Sequence, residues 1–100
     1  MGWWVIGFGT IGFKNKISEF DLNELYVEMK HLVSFQDVKI FKDTSEIAFE
    51  MGGNKGLDYS ELDKIKEDLI KKGYKFTISV GEYVESEENY YFDSDDDERK

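Results

Sequence analysis

The glycine spacing Gly7-Phe8-Gly9-Thr10-Ile11-Gly12 is that of a dinucleotide-binding fingerprint, in which amides at a helix N-terminus meet a pyrophosphate. The helix is missing where that chemistry needs it. Phe13, Lys14, Asn15 and Lys16 come before any helical periodicity. The acid expected about 20 residues on falls near Leu32, inside a helical pattern, and Asp37 precedes the strand that follows. Glycines that relieve crowding on a strand are the better reading. Asp93-Ser94-Asp95-Asp96-Asp97 supplies the first, third and fifth oxygens of a calcium loop, but Glu98 stands where the sixth-position glycine belongs.

The remaining reactive residues assemble no centre. His31 is the single histidine and cysteine is absent, so neither a zinc site nor a nucleophilic triad can be built, and His31 reads as a surface residue. Glu46 and Glu50 flank Ala48 on one face of a strand and could pair as acid and base. Their alternation with apolar residues marks the wet side of a sheet instead. Gly52-Gly53-Asn54-Lys55-Gly56 could cradle an anion through its amides, yet it lacks Walker spacing and reads as a flexible connection. No nucleophile, base and oxyanion donor come together with any specificity, so neither an enzyme nor a cofactor is expected.

The elements that must carry these residues follow from periodicity. Trp3 to Phe13 is aromatic and β-branched, which predicts a long central strand covered at least in part on both faces. Trp4, Ile6, Phe8 and Thr10 share one face. Gly7 and Gly9 share the other with Trp3, Val5, Ile11 and Phe13, where a helix or another backbone could approach closely. Leu22, Leu25, Tyr26, Met29, Leu32 and Val33 have helical spacing over residues 18–33, with Asp21 and Glu24 as a capping pair and Ser18 as a competing cap.

Val38 and Ile40, then Ile47, Phe49 and Met51, alternate as a hairpin turning near Asp43 and Thr44. A second helix begins at an Asp58/Glu61 capping box, places Leu62, Ile65, Leu69 and Ile70 on one stripe and stops at Gly73. Tyr74, Phe76, Ile78 and Val80 form a fourth strand, which can continue to Glu85, turn over residues 86–89 and return through Tyr90 to Phe92. The order β α β β α β predicts an α+β, ferredoxin-like split βαβ with an added C-terminal strand or hairpin. One domain over residues 1–93 and a disordered acidic tail over residues 94–100 are expected.

Charge carries the functional expectation. The 100 residues contain 22 acids and 13 bases, a net charge of -9. Residues 1–81 hold 13 acids and 11 bases, whereas residues 82–100 hold 9 acids and 2 bases, so the C-terminal segment carries -7 of the total. A field of that sign repels nucleic acid and anionic membranes and favours basic partners. Phe41 between Lys39 and Lys42 is the nearest approach to a base-stacking surface, and it is isolated, so direct nucleic-acid binding is not expected.

The apolar run from Trp3 to Ile11 is too short to span a bilayer and has no basic flank. No membrane association is expected, and the absence of cysteine fits a cytoplasmic setting. The expected function is therefore a small acidic binding protein that inhibits or neutralises a basic partner, such as a nuclease, by standing in for nucleic-acid phosphates. Phage-encoded inhibitors of restriction or CRISPR defence and the immunity proteins of nuclease toxins share this composition, although no motif here belongs to either.

The expected partner-binding residues are Glu82, Tyr83, Glu85, Glu87, Glu88, Tyr90, Tyr91, Asp93, Asp95, Asp96 and Asp97. Their carboxylates would steer and their aromatic rings would anchor. The alternative expectation is a regulatory or ligand-sensing domain that homodimerises through an open sheet face bearing Trp3, Trp4 and Phe41.

Overall fold

Strict alternation at Ile47, Phe49 and Met51 and at Phe76, Ile78 and Val80 demands strands with one dry face. Those six side chains are buried. The computed structural model of the chain describes residues 4–54, 56–82 and 88–95. Its elements are β1 (Trp4–Phe13), α1 (Glu19–Lys30), β2 (Phe35–Phe41), β3 (Glu46–Asn54), α2 (Ser60–Lys71), β4 (Phe76–Glu82) and β5 (Glu88–Asp93). The strands form one five-stranded antiparallel sheet in the order β2-β3-β1-β4-β5. The class is α+β, with the predicted first strand at the centre of the sheet.

Leu22, Leu25 and Met29 of α1 and Leu62, Ile65 and Leu69 of α2 join Ile11, Phe13, Phe49 and Phe76 in a single buried cluster. Both helices therefore cover the same face of the sheet. The other face is more open: Ile6 is half-buried, whereas Phe8 is 53% exposed and Thr10 is exposed beside it, so β1 is covered on that side only in part. Among the described residues, both helices lie on the opposite face.

The glycine face of β1 is closely approached, as the sequence suggested, though by the β4 backbone and by side chains and not by a helix. A Cβ on Gly9 would lie 2.6 Å from the Phe49 ring and 2.8 Å from the Ser79 carbonyl oxygen, and one on Gly7 would lie 2.5 Å from Leu57 Cδ1. Side chains from β3 and from the loop before α2, rather than a helix, fill the space the glycines leave. Gly52 and Gly53, expected in a flexible loop, are instead paired strand residues opposite Ile6 and Val5.

The helix ends differ in detail from the sequence reading. Ser18 is the cap of α1, its hydroxyl accepting from the Asp21 amide at 3.1 Å. The helix closes at Lys30, which leaves Val33 outside the apolar stripe and 91% exposed. At α2 the anticipated capping box is absent. Asp58 accepts from the Ser60 amide at 3.0 Å, while Glu61 reaches away to the Ser34 amide, also at 3.0 Å, and so ties α2 to the connection between α1 and β2. Gly73 ends α2 at φ 85°, with its amide bonded to Ile70 O and that of Tyr74 to Leu69 O, the paired bonds of a Schellman motif.

Candidate functional site

β5 pairs with β4 through Thr77 opposite Asp93, Ile78 opposite Phe92, Ser79 opposite Tyr91 and Val80 opposite Tyr90. That register splits the predicted partner-binding residues between two faces. Tyr90 points to the helical side, where its ring centroid is 4.8 Å from that of Tyr59 and its hydroxyl donates to Asp63 at 2.6 Å. Burial and the Asp63 carboxylate hold its phenol well above the ordinary value of 10.0. Tyr90 fastens the strand to α2. Phe92 does likewise, 5.5 Å from the Phe76 ring and beneath the Lys66 ammonium at 4.9 Å. Tyr91 faces the open side and is 54% exposed.

Asp93 and Asp95 are also engaged within the chain. The Lys14 amide bonds to the Lys75 carbonyl at 2.8 Å, which sets the two lysines together at the end of the sheet where β5 finishes. Lys14 Nζ reaches Asp93 at 2.6 Å and Asp95 at 2.9 Å, and Lys75 Nζ lies 3.8 Å from Asp95. Ser94 accepts from the Phe76 amide at 2.9 Å. Ser94 and Asp95 thus belong to the bonded structure rather than to the frayed tail expected from residue 94. The hydrogen bond from Lys14 and that from the Asp95 amide lower the Asp93 carboxyl below its ordinary 3.8, and the two carboxylates raise the Lys14 ammonium.

A depressed carboxyl stabilises the fold above the unfolded-state pKa, and that stabilisation is lost as pH falls through the folded-state value. The stability difference between wild type and Asp93→Asn should therefore be largest above pH 3.8 and shrink as the solution is acidified below it. Urea unfolding followed by circular dichroism at several pH values measures it. A difference that stays constant down to about pH 2 would remove the latch from the account.

Of the other predicted residues, Glu82 ends β4 and Glu88 begins β5, joined across a register shift in which Gly81 opposes Glu88. Tyr83, Glu85, Glu87, Asp96 and Asp97 lie outside the described residues.

The open face carries a second acidic and aromatic arrangement that sequence reasoning missed. Pairing across β2, β3, β1 and β4 sets Asp37 opposite Glu50, Glu50 opposite Phe8 and Phe8 opposite Gly81. The next row runs Lys39, Ala48, Thr10, Ser79 and Tyr91. A hollow of about 160 Å³ opens between them, lined by Phe8, Asp37, Lys39, Ala48, Phe49 and Glu50. Alternation alone had placed Glu50 on the wet side of a strand and Phe8 on a face shared with Trp4, Ile6 and Thr10. The missing information was which strands are neighbours, and in what register.

A larger groove of about 460 Å³ runs between α1 and α2, and four of its lining residues pair with one another. The Tyr74 hydroxyl donates to Asp21 at 2.5 Å, which pushes the phenol up to about 12, and Lys72 pairs with Asp68 at 3.4 Å.

Other sequence candidates resolve simply. The fingerprint glycines sit within β1, with no helix opening at them. His31 is exposed at the end of α1, its Nδ1 2.8 Å from the Val27 carbonyl. Among the described residues, no group of three or more His, Cys, Asp or Glu could hold a metal ion, and no helix is long and apolar enough to cross a membrane. No protein-family model, curated protein or solved structure matches this chain.

Proposed function

We propose that this protein binds and neutralises a basic, nucleic-acid-binding protein, presenting carboxylates where that partner would otherwise hold phosphates. One observation carries the reading: within the segment that holds -7 of the net -9 charge, Glu88–Asp93 pairs into the sheet as β5 and Lys14 holds Asp93 at its end. Carboxylates that flank a fixed strand lose less conformational entropy on binding than those of a free tail. Their excess charge steers a cationic partner toward that edge.

The roles within the segment divide accordingly. Asp93, Tyr90 and Phe92 hold the strand, and Glu82, Glu85, Glu87, Glu88, Asp96 and Asp97 supply the charge offered to the partner. The order β2-β3-β1-β4 is the one two split βαβ units produce, which supports a ferredoxin-like body for the platform.

The test uses wild type and the triple variant Glu85→Gln, Glu87→Gln, Glu88→Gln on a partner captured from lysate and identified by mass spectrometry. The captured protein should be basic, and the triple variant should associate about tenfold more slowly at low salt with little change in dissociation. An acidic partner, or association rates equal for the two proteins, would contradict the proposal.

A further inference from the structure

β2 is an edge strand. In the order β2-β3-β1-β4-β5 it pairs with β3 on one side, and among the described residues no strand pairs with it on the other. Backbone N–H and C=O groups along such an edge are a template for one more strand. Gln36, Asp37, Lys39 and Phe41 are exposed along it. Two features blunt this edge against an arbitrary strand, the irregularity between Phe35 and Asp37 and the charge of Lys39. They leave it selective rather than closed, because Asp37 stands two residues before Lys39 on the same face.

Neither of these charges meets its complement across the sheet. Asp37 lies opposite Glu50, a like charge, and Lys39 lies opposite Ala48. Among the described residues, neither has an ion-pair partner. The complement is the same strand in a second copy. When two β2 strands pair antiparallel about a two-fold axis at Val38, Asp37 of each copy faces Lys39 of the other, and both charges of both copies are matched. Moving the axis to either neighbouring residue sets Lys39 against Lys39 or Asp37 against Asp37. We infer that β2 is a homodimerisation edge, where two copies of this chain join antiparallel at Val38 into one continuous sheet whose register is fixed by the two Asp37–Lys39 pairs.

Apolar groups flank the axis on both sides. Phe41, 46% exposed, ends β2, and Val33, 91% exposed, precedes its other end. The two-fold carries the Phe41 of each copy to the end of the partner strand that follows the partner's Val33, where both can leave water. Net charge does not forbid the pairing, because β5, which belongs to the acidic segment, lies at the opposite edge with β3, β1 and β4 between. A strand from a basic protein is the poorer occupant, since its cations would meet Lys39. The inference stands apart from the proposed function and leaves the β5 edge of each copy free.

Sedimentation velocity over about 10 to 500 µM protein, at about physiological salt, tests it. Wild type should pass from monomer toward dimer as concentration rises, with the β2 amides gaining protection from hydrogen exchange. Asp37→Lys and Lys39→Asp each turn both cross-strand attractions into repulsions, and each alone should weaken dimerisation at least about tenfold. An equimolar mixture of the two variants should dimerise again, because one copy then brings only cations and the other only carboxylates to the paired positions. Recovery on mixing also shows that both variants are folded.

A monomer at every concentration, a dimer that either variant leaves intact, or a mixture no more associated than its two components would overturn the inference. So would a dimer whose added exchange protection falls on β5 and not on β2.

Discussion

A chain truncated after Glu82 loses its cooperative thermal transition and binds hydrophobic dye at room temperature. β5 is an integral strand, because its removal uncovers the Phe76 ring, fully buried beneath Phe92, and takes Tyr90 away from Tyr59 and Asp63. Two large side chains at about 1.5–3 kcal/mol each, with the Asp63 and Lys14 bonds in addition, amount to about 5 kcal/mol against a total stability of about 5–15 kcal/mol. The truncated sheet also ends on β4, whose Phe76, Ile78 and Val80 would then border an unpaired edge, an invitation to aggregation. A truncated chain that melts like the full one would show β5 to be accessory, and the platform for the acidic segment would vanish with it. The same reasoning explains why substitutions, not deletions, are the right probes of the segment's charge.

Gly9→Ala should cost about 3 kcal/mol and lower the melting temperature by roughly 15 °C. The new Cβ would be wedged between the Phe49 ring at 2.6 Å and the Ser79 carbonyl oxygen at 2.8 Å. The ring could swing only by leaving its edge-on packing with Phe35 at 5.1 Å, and the carbonyl belongs to the backbone of β4. Gly12→Ala is the internal control on the same strand. Its Cβ would meet nothing nearer than Thr77 Oγ1 at 3.6 Å, so it should melt at or slightly above the wild-type temperature. Equal effects at the two positions, measured by calorimetry, would show that helix-side crowding is not what keeps Gly9 small.

How much of this was legible in the sequence depends on the distance over which each residue acts. Gly73 as the end of α2 and the dry faces of β3 and β4 follow from local periodicity and local sterics, whereas the atoms that crowd Gly7 and Gly9 belong to Leu57, Phe49 and Ser79, far along the chain. Caps were harder, since Ser18 and Asp21 compete for the same helix start and only the folded backbone decides between acceptor oxygens three residues apart. Glu61 fits a capping box by spacing, yet its carboxylate serves Ser34, 27 residues away, because tertiary packing brings that orphan amide within reach.

The site was legible in composition but not in geometry. The acidic segment and its aromatics were visible as a charge imbalance. That Tyr90 turns inward, and that Asp93 answers a lysine 79 residues earlier, requires knowing that β5 lies beside β4 and ends near Lys14. The juxtaposition of Asp37, Glu50 and Phe8 is less legible still. Its three residues come from three strands, and a shift of one residue in either pairing would disperse them to opposite faces.

The measurement that bears most directly on the proposed activity is the association rate of the captured partner with wild-type protein across about 50 to 500 mM salt. A carboxylate surface that steers a basic partner predicts a rate that falls steeply, by at least about tenfold over that range, while the dissociation rate changes far less. A rate that is flat across the same range would contradict the account, because the -7 carried by residues 82–100 would then have no part in recognition.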